Sequence, residues 1–325
     1  MSDWPHHVTD RRGRYMRAAA AASVALGLTL TLAKGVVWYL TGSVTMLASL
    51  ADSVLDLSAA LITFLGVRTA LMPPDAEHRF GHGKAEGLAA LAQGAIMLGS
   101  AAFLLLQSAG RIVAPRPLEM AWSAIAVSLL AIGLTFALLV FQRFVIRRTG
   151  SLAIRADSLH YAGDFLLNLA VIAGIAIAAY GGIPRADGLF GAAIAVFIAV
   201  QAWRVGRSAV DMLMDRELSG EARETIFNIA LGNRQVRGLH DLKTRGAGLR
   251  DFIQLHLEVD PHLSLKQAHL VALEVEAALS EAFPDAEIII YVDPAGFEKP
   301  NLTVGELGHH EAGAIGSGAR ERERL

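Results

Sequence analysis

The chain has 325 residues, 53% hydrophobic and 18% charged, with a mean hydropathy of +0.42. That balance excludes an ordinary soluble domain and fits a polytopic membrane protein. A net charge of −2 gives no reason to expect nucleic acid as a partner, and the absence of cysteine excludes disulfides, thiolate metal sites and CxxC redox chemistry, leaving oxygen and nitrogen as metal donors.

Residues 1–16 are polar and lack the pattern of a cleaved signal peptide. They are expected to form a cytosolic N-terminal segment, with the apolar run after them as an uncleaved anchor. Six apolar spans follow, at roughly 17–40, 43–71, 87–113, 119–142, 152–180 and 185–211. Each is near or above the ~20 residues a helix needs to cross a bilayer core. The breaks carry turn chemistry: Thr41-Gly42-Ser43, Pro73-Pro74, Pro115-Arg116-Pro117, Gly150, and Gly181-Gly182 with Pro184. Basic residues crowd one side, from Arg11, Arg12, Arg14 and Arg17 through Arg79 and Lys84 to Arg143, Arg147, Arg148, Arg155, Arg204 and Arg207. The other side holds Arg111, Arg116 and Arg185. The positive-inside rule therefore puts both termini in the cytoplasm. The expected transport domain is 17–212, an all-α bundle of six membrane helices.

Beyond residue 213 the composition changes. A helix at 219–232, strands in GLHDLKTR and DFIQLHLEVD, a helix striped by Leu265, Ala268, Ala272, Val275, Leu279 and Phe283, and a strand in AEIIIYVD give an α-β-β-α-β order. This predicts a cytosolic α+β domain over 213–298, metallochaperone-like in its order of elements. Residues 299–325, rich in Gly, Glu and Arg without apolar periodicity, read as a disordered tail.

Four of the ionisable side chains within the apolar spans form two pairs. Asp52 and Asp56 lie in the second, His160 and Asp164 in the fifth, both pairs spaced i, i+4 and so on one helical face. Counted from the span ends at 1.5 Å per residue, Asp52 is ~14 Å and His160 ~12 Å deep. Both reach the middle of a core ~30 Å thick. Charged groups at that depth are costly, face a bundle interior and mark an ion path. Three carboxylates and an imidazole suit tetrahedral Zn2+, and so hard a set also admits Fe2+, Mn2+ and Cd2+. All four donors bind metal only when deprotonated, so protons compete, with His160 the group nearest to switching at neutral pH. The two pairs can meet only if the second and fifth helices are neighbours.

These pairs, the six spans and the α-β-β-α-β domain resemble the cation diffusion facilitator family, in its bacterial ferrous-iron/zinc efflux branch. TGSVTMLASLADSVLD, HRFGHGKAEGLAALAQ and RADSLHYAGD are the family-like stretches, and the similarity runs from about residue 15 to 298. The resemblance implies a homodimeric metal/proton antiporter of the bacterial inner membrane. It would work by alternating access, with Asp52, Asp56, His160 and Asp164 as the transport site.

Other polar residues follow from the same reading. In PPDAEHRFGHGK, Asp75, His78 and His82 are spaced i, i+3, i+7, and both a metal site and a plain polar loop fit; the resemblance implies a second, auxiliary zinc there. In the cytosolic domain His256 falls on the polar face of its strand, and Tyr291 shares a face with Asp293. By resemblance His240, His256, His269 and Asp293 match a binuclear zinc site that stabilises the dimer. The family has a further histidine where this chain has Tyr291, which leaves one ion or two open, since a neutral phenol is not a zinc ligand. Lys84 and Asp215 match a charge interlock between the third helix and the link to the cytosolic domain. Asp157 fits a support of the site, part of the cytoplasmic mouth, or a solvated charge. Ala51-Asp52-Ser53 recurs as Ala156-Asp157-Ser158 in a different ligand register. Lys34 is expected to snorkel and Asn168 to bond a neighbouring helix. His6, His7, His309 and His310 lie in the expected tails.

The sequence thus predicts a non-enzymatic exporter of Zn2+ and/or Fe2+, with Cd2+ as a further substrate. The ions are its cargo and its structural or regulatory ligands, and protons, membrane lipid and a second copy of the chain are its partners. Two other classes compete. A membrane-bound metal sensor or scaffold would use the soluble domain without transport. An intramembrane metalloenzyme would need an open metal position and a general base, but the chain has no HExxH and four ligands would close the coordination sphere.

Overall fold

The computed structural model describes residues 6–42, 44–113, 122–181 and 186–296. The expected tail 299–325, with His309 and His310, lies outside them, as do Pro115-Arg116-Pro117 and Pro184. Six long helices occupy the six apolar runs: α1 (His6–Thr41), α2 (Val44–Ala70), α3 (Ala85–Val113), α4 (Trp122–Thr149), α5 (Leu152–Gly181) and α6 (Ala186–Leu213). Among the described residues five stretches, within α1, α2, α3, α4 and α6, are long and apolar enough to cross a membrane. The first helix differs from expectation by reaching back to His6. Gly42 and Gly150 follow α1 and α4 with φ of 62° and 68°, the left-handed geometry that ends a helix and that glycine adopts without penalty.

The bundle packs through small side chains. Met16, Ala19 and Ala20 of α1 meet Val67 of α2, Ala89 of α3, Val145 of α4, and Ala153 and Ile154 of α5 in one buried cluster. Met97 and Ala101 of α3 face Ile198 and Ala202 of α6 in another. Alanine at these contacts lets helix backbones approach closely, which is how helices associate where lipid removes the hydrophobic drive. The outward positions are apolar instead: Leu32, Tyr39, Leu106 and Trp203 are each at least 60% exposed. Such a surface suits lipid.

The chain divides into two compact units. The first holds residues up to 220 together with 243–253 and 283–287; the second holds 221–242, 254–282 and the residues from 288 on. The elements after the bundle are α7 (Gly220–Gly232), β1 (Val236–Ala247), β2 (Arg250–Val259), α8 (Leu265–Ala282) and β3 (Ala286–Pro294). The sheet order is β1-β2-β3. The two-residue link after Ala247 makes β1 and β2 a hairpin. Asp251 pairs with Asp285 and Val259 with Ala295, so β2 and β3 run parallel with α8 as the crossover. Ile253, Leu255, Leu257 and Val259 are all buried, as the alternation predicts. The α8 stripe is narrower than expected. Val271, Ala272, Val275 and Leu279 are buried, but Leu265 is 88% exposed because the first turn starts beyond the face the helix covers.

Candidate metal sites

Helices α2 and α5 bring the first group together. His160 Nε2 of α5 lies 3.1 Å from Asp56 Oδ1 of α2 and 3.6 Å from Asp164 Oδ2 one turn further along its own helix. Metal bonds of about 2.0–2.2 Å in a tetrahedron hold neighbouring donors about 3.3 Å apart, so this spacing fits an ion. His160 is nearly inaccessible, while Asp56 and Asp164 are partly open. Asp52, one turn before Asp56, is exposed and outside the gathered group. Lys34 Nζ donates to the Ser49 carbonyl near the start of α2 at 3.2 Å. The Asn168 amide donates at 2.8 Å to the Asp164 carbonyl on α5 itself, and among the described residues it bonds no neighbouring helix.

One turn before His160, Asp157 is fully buried. Its Oδ2 accepts from Ser23 Oγ of α1 at 2.5 Å and Gln142 Nε2 of α4 at 2.7 Å, and its Oδ1 from Gln93 Nε2 of α3 at 3.3 Å. Tyr161, one turn later, donates its hydroxyl at 3.0 Å to the Ser23 carbonyl. Asp157 is therefore neither solvated nor part of an open mouth. It is the acceptor on which four helices converge. Ser23, Gln93 and Gln142 went unnoticed in the sequence, although polar residues inside apolar runs were the signal to follow. Glu86 was missed for the same reason. Buried at the start of α3, it accepts from the Ser151 hydroxyl and, at 3.2 Å, from the Ala153 N–H, and so caps the N-terminus of α5.

The second group lies in the loop between α2 and α3. Asp75 Oδ1 is 3.3 Å from His78 Nδ1, and Asp75 Oδ2 is 3.3 Å from His82 Nε2. The loop folds back through the Asp75 carboxylate, which accepts the N–H groups of His78 at 2.7 Å and Glu77 at 3.0 Å. Chiefly through the His78 N–H, these bonds hold the Asp75 carboxyl below the ordinary carboxylate value. The loop wraps rather than forming a helix, with Gly81 at φ 80°. His82 Nδ1 is buried without a hydrogen-bond partner. Beside this loop, Lys84 Nζ is 2.9 Å from Asp215 Oδ2, and Arg245 Nη1 is 3.2 Å from Asp215 Oδ1. Asp215 takes a left-handed φ of 56° just past α6, where Arg216 N–H bonds back to the Asp211 carbonyl. That is the helix-ending position usually given to glycine. Arg245 was not foreseen.

The third group is in the sheet. His256 Nδ1 lies 2.8 Å and His240 Nε2 3.3 Å from Asp293 Oδ2. His269 is not brought to it. It stands exposed on α8, off the face that Val271, Ala272 and Val275 turn inward. Tyr291 stacks on the His256 ring at 4.7 Å and 14°, an apolar support in place of a ligand. Unforeseen, Glu258 Oε1 lies 3.1 Å from His240 Nδ1. Among the described residues, these three groups are the ones whose His and carboxylate donors lie close enough together to share an ion.

Comparison with known proteins agrees in both halves of the chain. Residues 20–214 match the cation efflux transmembrane domain, and residues 218–295 the cytoplasmic domain of cation efflux proteins. A cation-efflux pump FieF of Klebsiella pneumoniae is 45% identical over 283 residues, covering 87% of this chain and 94% of that one. The pump of the same name from Serratia proteamaculans is 47% identical, covering 86% and 93%. The metal-bound C-terminal domain of the CzcD transporter of Thermotoga maritima is similar over 24% of this chain and 93% of that one, at 26% identity and a TM-score of 0.24. With both of its regions matched and relatives alike over most of their length, this multi-pass membrane chain belongs to the cation diffusion facilitator family of transporters, in the branch of the FieF cation-efflux pumps.

Proposed function

We propose that the chain exports Zn2+ and/or Fe2+ from the cytoplasm in exchange for protons, with Cd2+ within reach of the same donors. The observation that carries this reading is the meeting of Asp56, His160 and Asp164 between two apolar helices. Two carboxylates share one imidazole there, which leaves acceptor capacity for a cation. Asp52 completes the set by closing in from the next turn of α2 as the ion binds. Metal and protons compete for the same lone pairs, so loading one releases the other. Alternating access then follows if the ion-loaded and proton-loaded sites favour opposite openings of the bundle.

The remaining groups support transport. Asp75, His78 and His82 hold an auxiliary ion in the loop, where their mixed O/N donors converge and fit a divalent metal. His240, His256 and Asp293 hold one ion in the cytosolic sheet. His269 is turned away and Tyr291 is stacked, so among the described residues of one chain no second ligand set forms there. The cytosolic domain joins two copies into a homodimer in the bacterial inner membrane, both termini in the cytoplasm. The divisions 1–16, 17–212 and 213–298 serve as membrane approach, transport domain and cytosolic domain.

The test is metal-driven proton flux in proteoliposomes with Zn2+, Cd2+, Mn2+ and anaerobic Fe2+, comparing wild type with Asp56→Ala. Coupled flux that vanishes in the variant supports an antiporter using this site and ranks its metals. Folded wild-type protein that binds metal but moves neither ion would make the chain a sensor or scaffold.

A further inference from the structure

We propose that Glu258 is a positioning residue of the cytosolic metal site: it accepts the Nδ1 proton of His240 and so leaves Nε2 free for the ion. This rests on the reading that His240, His256 and Asp293 hold a metal. The two ring nitrogens of an imidazole point away from one another, so a single ion takes only one. Nε2 of His240 faces Asp293 Oδ2, the same oxygen that His256 Nδ1 approaches, and these three donors converge. Nδ1 faces the other way, toward Glu258 Oε1 at 3.1 Å. It is buried and has no aligned hydrogen bond, so a small turn of the ring toward Glu258 satisfies it. A histidine that donates one nitrogen to a carboxylate is fixed in tautomer and orientation, and its other nitrogen becomes a stronger ligand.

The strand register supports the assignment. Glu258 and His256 are two apart on β2 and share a face; Gly238 and His240 are two apart on β1 and share theirs. Gly238 stands beside Glu258: a methyl group built on it would meet Glu258 Oε2 at 2.9 Å. The missing side chain at 238 leaves room for the carboxylate where it lies beside β1.

The experiment is a Zn2+ titration of full-length protein in detergent against a chromophoric chelator. His240→Ala first identifies which binding phase belongs to the cytosolic site; if no phase disappears, the reading of that site as a metal centre fails on its own. For the phase so identified, Glu258→Ala is expected to weaken binding by about 10–100-fold. Glu258→Gln keeps an acceptor oxygen and should recover most of that loss. Gly238→Ala should weaken binding when Glu258 is present and add nothing to Glu258→Ala. Wild-type affinity in Glu258→Ala would overturn the proposal. So would a Glu258→Gln defect as large as that of Glu258→Ala, which would make the carboxylate a direct ligand, or independent addition of the 238 and 258 effects.

Discussion

Two carboxylates on α5, two turns apart, meet opposite fates. Asp157 is fully buried and accepts from a hydroxyl and two amides drawn from α1, α3 and α4. Asp164 is partly open, and among the described residues its carboxylate has one close partner, His160, which is shared with Asp56. A carboxylate whose lone pairs are already filled by neutral donors has little left for a cation, and it ties helices together. A carboxylate that must share a partner is short of positive charge, and an arriving ion supplies it. The lesson is that an acid inside a membrane protein is read by its supply of donors. By residue type and helix face alone the two residues look alike.

The largest effect should come from emptying the undersupplied side. Asp164→Ala removes a donor that no neutral group compensates, so flux in proteoliposomes should fall by more than the ~10–100-fold typical of losing an outer partner. The protein should remain folded, because one source of repulsion with Asp56 has gone. Normal flux in Asp164→Ala would mean that the ion passes elsewhere. Asp157→Ala should behave in reverse. It takes the acceptor from three hydrogen bonds and opens a void, and although Ser23 and Gln142 keep one another at 3.0 Å, Gln93 loses its partner. A cost of about 2–4 kcal/mol is expected, measured as thermal unfolding in detergent. Asp157→Asn should recover much of it, since its oxygen still accepts and its amide can serve the unpaired Gln93 or Gln142 oxygen. Equal stability of the alanine variant and wild type would mean that Asp157 does not tie the helices together.

The sequence carried the membrane helices, the α-β-β-α-β order and the spacing of the two ligand pairs because each is a local periodicity. It did not carry what the spacing means at each position. Ala-Asp-Ser occurs at 51–53 and at 156–158, yet Asp52 is exposed on α2 and Asp157 is sealed within the bundle. The difference is made by Ser23, Gln93 and Gln142, which lie on other helices, and no pattern within α5 announces them. His269 shows the same limit. Its residue type suits a metal, but the face that α8 buries turns it outward. Glu258 was passed over because a strand glutamate reads as solvated until Gly238 and His240 are seen beside it.

The loop offers a milder test of donor supply. The Asp75 carboxylate already accepts two backbone N–H groups, so the loop holds its shape without His78. His78→Ala should therefore keep most of the flux in proteoliposomes while releasing an auxiliary ion. Complete loss of flux would raise the loop to an obligatory station on the transport path.

The smallest effect concerns Asp215, an oversupplied carboxylate at the surface. Burial pushes its carboxyl up, but the hydrogen bonds and charges of Lys84 and Arg245 outweigh that and hold it below the ordinary carboxylate value. A depressed folded value means that the unfolded chain takes up the proton more readily. The stabilisation is therefore complete above the ordinary value and is lost as pH falls through it toward the folded one. Because the Asp215 side chain is 40% exposed, water screens the pairs and the contribution is at most about 1 kcal/mol. Asp215→Asn keeps a residue that tolerates the left-handed φ of 56° and removes only the charge. Unfolding of both proteins followed from about pH 6 to about pH 3 should show a gap that is constant at first and closes at the acid end. Added salt should narrow the gap at the upper end of that range. A gap of unchanged size throughout would mean that the bridges to Lys84 and Arg245 place the side chain without stabilising the fold.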